Sequence, residues 1–456
     1  MRKLLIIFSF AAVLAASQSC KKTSFVEKFD KSPEARMADS IAFVRKTLTS
    51  ASNGWIAVTP VFFGGGYGFY MKFDDSMNVT MYSDLLDQFA STSYTSHTRV
   101  RADMGVALTF DSYNYITELN DPDNNVRNGY GGDIDYIYDH TNGDSIVFLG
   151  KRYRQPLSFV KATVAQQAAY ESGGYLTAIQ AFKDFFTANQ NAYITLDDGT
   201  KISIEPNASN DLNAGKRITL TALDPKNNIT SAMAKFAYTI DQMAILDSGV
   251  NIAGLRFTKI AWKDNSTLAI YTSDGKEFVI KNSPAPILPL YMLMGVKYSS
   301  LYEPYQTIYP GTSTDGAAML NAYQNGLSHV PSGSGGYYVF NWGSISLQWN
   351  LANQRVSFIG YCTQSGAQAT PNNTGAGWTT TIVYTYTVDD AGNYTFTKFS
   401  NASGGYVSSL MTGLDAFFTS NTIKLGYYID PATNAVYGQV SSIENPGISM
   451  TFSLLQ

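Results

Sequence analysis

GGYGFYMKFDDSMNVTMYSD, residues 65–84, is the stretch whose reading decides the fold. Tyr67, Phe69, Met71 and Phe73 alternate with Gly68, Tyr70 and Lys72, the period of two of a half-buried strand. Asp74, Asp75 and Ser76 turn the chain, and Asn78–Asp84 returns as a partner strand. Working outward, Ser32 followed by Pro33 and Glu34 is an N-cap, a first-turn proline and an acid suited to the helix dipole. Met37, Ile41, Val44 and Leu48 then fall at helical spacing and predict one docking stripe, ended at Asn53 and Gly54.

Downstream, HTRVRA, VALTF, DIDYIYD, SIVFLG and PLSFVKA are further short strands separated by turn signals such as DPDNN and TNGD. Successive strands with little helix between them predict an antiparallel meander, closed or partly closed into a barrel, with the first helix plugging or covering one face. At 161–186 the period changes: Tyr175, Ile179, Phe182 and Phe186 repeat the helical spacing, and ESGG before them predicts two helical pieces. Hairpin turns resume at DDG, DPKNN, KDNS and SDG. NSPAPILPLYM places three prolines within six residues and reads as an interdomain or crossing segment. Strands return through YYVFNWGSISLQWN, QRVSFIGYC, TTTIVYTYTV and NYTFTKF, before a last helix over about 406–418. FFTAN at 185–189 is echoed by FFTSN at 417–421, which suggests a helix-plus-meander unit used more than once. The expected class is mainly β with a few amphipathic helices (α+β).

Composition agrees. Tyr (31), Phe (26) and Gly (37) are abundant, a mixture suited to pleated surfaces joined by tight turns. Charged residues are 15% and the net charge is −4, so there is no basic footprint for nucleic acid.

The N-terminus fixes the expected location. Arg2 and Lys3 precede LLIIFSFAAVLAA, and small residues run up to Cys20, the order of a secretory signal. The apolar run is about 13 residues, short of the roughly 20 that span a bilayer. A cysteine directly after it resembles a bacterial lipoprotein signal, in which the thiol is acylated, although Ser17 stands where leucine is common. With Cys20 lipidated, Cys362 alone remains and cannot form an internal bridge; its apolar surroundings predict a buried, inert thiol. The expected division is a signal peptide over 1–19, a lipidated tether over 20–32, a helix-plus-meander domain over 33–160, a middle helix-plus-β region over 161–290 and a β-rich domain over 291–456.

Chemistry is sparse. His97, His140 and His329 never form a zinc-hydrolase pair, and neither a nucleophile elbow nor a phosphate loop is present. No cofactor is expected, and the chain reads as a non-enzyme. Asp121, Asp123 and Asn125 begin like a calcium loop, but Val126 and Gly132 occupy its glycine and glutamate places, so a turn is the better reading. Asp133, Asp135 and Asp139 would share one strand face, with Ile134, Tyr136 and Tyr138 on the other; paired carboxylates could serve glycoside hydrolysis. Aromatic residues near glycine-rich turns are the stronger signal, because flat rings offer apolar area with little entropy to lose. The candidate ligand-binding residues are Phe62, Phe63 and Tyr67 in VFFGGGYG, Tyr302 and Tyr305 in YSSLYEPYQTIYP, and Trp342 and Trp378.

SPEAR with its helix, SNGW at 52–55, GGGYGFYMKF, NVTMYSD, LTFDSYN at 108–114, DPDNN, GGDIDYIY and SIVFLGKR together resemble the N-terminal half of a Bacteroidota lipoprotein family, domain of unknown function number 4302. The resemblance runs through most of the mature chain, strongest before residue 155, and carries no catalytic residues. It implies an outer-membrane setting, facing the periplasm or the cell surface, beside a nutrient importer of the TonB-dependent kind. The expectation is a lipid-anchored accessory protein that binds a glycan or peptide. The alternatives are an assembly lipoprotein without a small ligand and a hydrolase using Asp133 and Asp135.

Overall fold

The computed structural model describes residues 31–122, 127–304, 307–327, 329, 335–336, 342–363, 377–400 and 409–456. The signal segment, Cys20, Asp123, Asn125 and Tyr305 lie outside these residues, as do the side chains of Trp342 and Trp378. The chain is mainly β and antiparallel, as its alternation predicts, with seven helices among the described residues. It forms two compact units: residues up to Phe62 with Phe69–Ser172, and Phe63–Gly68 with Gly173–Gln456. The second unit holds both the middle sheet and the C-terminal barrel.

In the first unit, Ser32 caps α1 (Pro33–Thr49), accepting from Ala35 N at 3.3 Å. Val44 and Leu48 are buried and Met37 and Ile41 half-buried, so the stripe docks along its length. Trp55 Nε1 donates to Leu48 O at 2.9 Å and ties the helix end to the first strand.

The strands are β1 (Trp55–Pro60), β2 (Gly66–Phe73), β3 (Asn78–Ser83), β4 (Tyr94–His97), which follows the short α2 (Asp87–Ser91), β5 (Arg99–Ala102), β6 (Val106–Thr109), β7 (Arg127–Tyr130), β8 (Asp135–Asn142), β9 (Ser145–Gly150) and β10 (Pro156–Lys161). All but β7 form one sheet in the order β4-β3-β2-β1-β10-β9-β8-β6-β5. The edge strands β4 and β5 are separated in the chain by Thr98 alone. The sheet therefore curls until its edges come together, which protects both edges without a continuous ladder. Thr98 is buried at this corner, and its N and Oγ1 both donate to Met77 O, at 3.0 and 2.7 Å.

After α3 (Val164–Glu171), which Thr163 and Gln166 begin with a capping box, Gly173 at φ 82° breaks the helix before α4 (Gly174–Ala188). ESGG thus marks a real boundary. The second sheet comprises β11 (Ala192–Thr195), β12 (Lys201–Asn207), β13 (Arg217–Leu223), β14 (Ile229–Tyr238), β15 (Gln242–Ile245), β16 (Val250–Ile252), β17 (Leu255–Trp262), β18 (Leu268–Thr272), β19 (Glu277–Val279) and β20 (Lys281–Asn282). Its order runs from β19 to β20, which are again separated by one residue, Ile280. The same device curls both sheets.

The prolines of NSPAPILP lead into the short α5 (Leu290–Leu293) and then into a closed barrel: β21 (Ser300–Pro304), β22 (Trp342–Asn350), β23 (Arg355–Thr363), β24 (Gly377–Val388), β25 (Asn393–Ser400), β26 (Ile423–Ile429), β27 (Val436–Ser442) and β28 (Ser449–Leu455). Neighbours follow chain order, and β28 closes on β21. Between β21 and β22 comes α6 (Thr314–Leu327), and between β25 and β26 comes α7 (Thr412–Ser420). Cys362 is buried in the barrel core among side chains such as Leu347, Phe358 and Ile382.

The FFTAN and FFTSN echo proves to be a shared helix stop. Asn189 Nδ2 donates to Phe185 O and Asn421 Nδ2 to Phe417 O, both at 2.8 Å. The likeness is local, since α4 precedes a sheet whereas α7 lies within the strand order of the barrel.

Three hairpin turns share another device. Asp74, Asp224 and Asp389 each bind both the backbone N and the side-chain Nδ2 of an asparagine four residues on, Asn78, Asn228 and Asn393, at 2.8–2.9 Å. These bonds to asparagine hold all three carboxyls below their ordinary range. A folded-state pKa below the unfolded one gives stability that is present above the unfolded value, about 3.9, and lost as pH falls through the folded value. The melting temperature is therefore expected to fall as pH drops from about 5 to about 3, and to fall less steeply in the Asp74→Asn, Asp224→Asn, Asp389→Asn triple variant. Equal slopes by circular dichroism would reject this.

Candidate ligand-binding cleft

Two adjoining clefts open on the first unit. One, of ≈ 430 Å³, is lined by Asn120, Gly132, Asp133, Ile134, Asp135, Lys151 and Arg152. The other, of ≈ 370 Å³, includes Asp111, Ser112, Tyr113, Thr117 and Asp121 and shares Asn120 and Ile134 with the first. The two clefts adjoin at these shared residues and are together the groove of this unit.

The carboxylates of GGDIDYIYD do not form a free pair. Asp133 is buried, and its two oxygens accept from Arg152 N at 2.7 Å and Tyr153 N at 3.0 Å, pinning the turn after β9. Gly150 permits this approach, since a Cβ there would lie 2.1 Å from Asp133 Oδ2. Burial raises the Asp133 carboxyl, while the two N–H bonds oppose the rise. Asp135 accepts from Thr109 Oγ1 at 2.7 Å and Arg101 Nη2 at 3.1 Å. Nor do the acids share one face opposite Ile134, Tyr136 and Tyr138. Asp133 and Tyr136 are buried while Ile134 is exposed, because β8 begins only at Asp135 and bulges between Tyr138 and His140.

An aromatic stack lies next to the first cleft, and one exposed ring lines the second. Arg152 sits 4.7 Å over the Tyr153 ring, and Tyr153 stacks on Phe62 at 5.3 Å between centroids. Phe62 N donates to Gly131 O at 3.1 Å, placing this stack beside Gly132 of the groove wall. Phe62 is 52% exposed, and Tyr113, on the second cleft, is 54% exposed with its hydroxyl on Glu118. Asp111 pairs with Arg99 and, at 3.3 Å, with His97.

The other ring candidates disperse. Phe63 is exposed, but Tyr67 is fully buried, with Lys216 Nζ 5.4 Å from its ring. The glycines of VFFGGGYG serve close packing in the second unit: a Cβ on Gly68 would lie 1.9 Å from Tyr238 O. Of the three rings in this stretch, Phe62 and Phe63 are exposed and Tyr67 is buried, so Tyr67 is not placed to meet a ligand. Tyr302 is half-buried on β21, and Tyr298 and Trp349 are core residues. Tyr113, Arg152 and Tyr153 were absent from the sequence candidates; the only signal was their place beside turns, in FDSYN and GKRYRQP.

Fold and clefts define a mainly β protein with open surface clefts on its first unit. A family model described as Domain of unknown function (DUF4302) matches residues 26–264, more than half of the chain. The chain belongs to that family. The match spans the sheet that carries the groove and ends before the closed barrel. A search of curated proteins returned no match.

Proposed function

We propose that this is a lipid-anchored cell-envelope protein that binds a nutrient glycan in the groove of its first unit, beside an outer-membrane importer. One observation carries the glycan reading: two adjoining clefts whose walls carry Asn120, Asp121, Lys151 and Arg152, with the exposed Tyr113 ring on the second and the Phe62–Tyr153 stack next to Arg152 of the first. Sugar rings present apolar faces that such side chains cover, and hydroxyls that Asn120, Asp121 and Lys151 can meet. The cysteine directly after a signal-like segment supports the anchor and the setting. Hydrolysis is disfavoured because Asp133 and Asp135 are both committed to structural bonds.

One preparation tests both parts. Cys20→Ser is expected to move the protein from the membrane pellet to the soluble fraction, and the soluble form is then titrated with a panel of glycans and peptides. A glycan is expected to bind, and Phe62→Ala or Tyr113→Ala to weaken it about tenfold, or ~1.4 kcal/mol, without shifting the melting temperature. Binding only of peptides, or ring variants that bind as tightly as wild type, would reject the glycan site. Retention of the Cys20→Ser protein in the pellet would reject the anchor.

A further inference from the structure

The barrel contains a row of polar groups that have no hydrogen-bond partner among the described residues. Register sets Glu303 opposite Ile345, Ile345 opposite Gly360, and Gly360 opposite Thr380. Directly opposed residues on antiparallel neighbours share a face, and Ile345 belongs to the barrel core, so the row points inward. Glu303 is 1% exposed, and neither carboxyl oxygen has a hydrogen-bond partner. Thr380 Oγ1 and Tyr323 Oη are likewise buried and unpartnered. Tyr323 comes from α6 and lays its phenol on the row's glycine: a Cβ on Gly360 would lie 2.5 Å from its oxygen. A carboxyl, a phenol and a hydroxyl thus face the interior along one row that crosses four adjacent strands spaced about 5 Å apart.

Interiors leave few polar groups unsatisfied, because each loses its water without a replacement. A chain that fills the rest of this barrel with Leu, Ile and Phe keeps the costliest of such groups, a carboxyl, at its inner wall. An eight-stranded barrel has room for side chains or one small ligand. We propose that this row is a binding site for a small hydroxyl-bearing primary ammonium, with Glu303 as its counter-ion and Tyr323 and Thr380 as hydroxyl partners.

Charge favours a cation over a neutral guest. Burial alone pushes the Glu303 carboxyl up to about 8, with no cation to lower it. Among the described residues, the titratable groups that interact with the row are Tyr309, which senses the Glu303 charge, and Tyr323 with Cys362; all three are acids. None supplies the missing positive charge. A bound ammonium would do so, displacing the carboxyl proton to solvent.

The test is calorimetry on the mature full chain with ethanolamine and glucosamine as probes. Ethylene glycol and N-acetylglucosamine serve as uncharged controls, and each titration is run at pH 7 in two buffers of different ionisation enthalpy. At least one amine is expected to bind with release of about one proton, while the controls do not bind. Glu303→Gln is expected to weaken that amine at least tenfold and abolish the buffer dependence. Thr380→Val, nearly the same shape, weakens it less and guards against misfolding of the first variant. No binding of either amine to wild type, as a barrel holding only ordered water would give, overturns the proposal. So does equal binding by Glu303→Gln or by the uncharged controls.

Discussion

Gly68→Val is expected to destabilise the protein by roughly 3 kcal/mol or more, lowering its melting temperature by about 10 °C. The cause is contact with backbone, which cannot swing aside as a side chain can. A Cβ at Gly68 would lie 1.9 Å from Tyr238 O and 2.9 Å from Tyr175 Oη, which itself donates to Tyr238 O at 2.8 Å. The intruding methyl groups must therefore either push β14 away or break that hydrogen bond. Gly66 faces the same strand, its Cβ position 2.5 Å from Phe236 O, so this strand packs on the glycines at two successive points. Gly426→Ala is the control, since nothing lies within 4 Å of its Cβ position. If calorimetric scans of the two variants coincide, the close packing of residues 63–68 is wrong.

Asp415→Ala is the second large effect, at roughly 2–3 kcal/mol. Asp415 on α7 accepts from Tyr384 Oη at 2.7 Å and pairs with Lys398 of β25. Tyr384 is buried in the barrel, and burial, with the carboxylate beside it, raises its phenol above the ordinary value. Removing the acceptor strands that hydroxyl in an apolar core, whereas Tyr384→Phe removes donor and need together and should cost about 1 kcal/mol. Combining the two should cost less than their sum, because both break the same bond. Urea titrations showing strict additivity would mean that Asp415 stabilises α7 in some other way.

Strand alternation, turn chemistry and helix caps were legible because each is local. DDSMN and DPKNN read as turns from their residues, and the structure adds that aspartate and asparagine close them. Ser32-Pro33 and ESGG gave helix boundaries for the same reason. Curling was harder to see, since it depends on β4 pairing with β3 and β5 with β6 on either side of Thr98, a choice made by the whole sheet. The groove was missed because its residues lie on separate turns: Tyr113 and Arg152 are brought to one surface only once β8 and β9 have paired. Asp133 misled because a carboxylate that binds two backbone amides looks, in sequence, like one waiting for a substrate. Glu303 carries a faint signal, an acid two places after Leu301 and therefore on the same, buried strand face.

The closed barrel also governs how fast the protein reaches its native state. Its last seam joins Ser453 Oγ to Tyr302 O across 151 residues, whereas every other strand in the barrel pairs with the next in the chain. Bringing such distant segments together carries a large loop-closure entropy before any contact compensates it, so the seam belongs late on the folding route. Until β28 arrives, β21 and β27 present bare backbone to any neighbouring chain, and association competes with closure. Refolding yield should therefore depend on protein concentration even where the final stability does not.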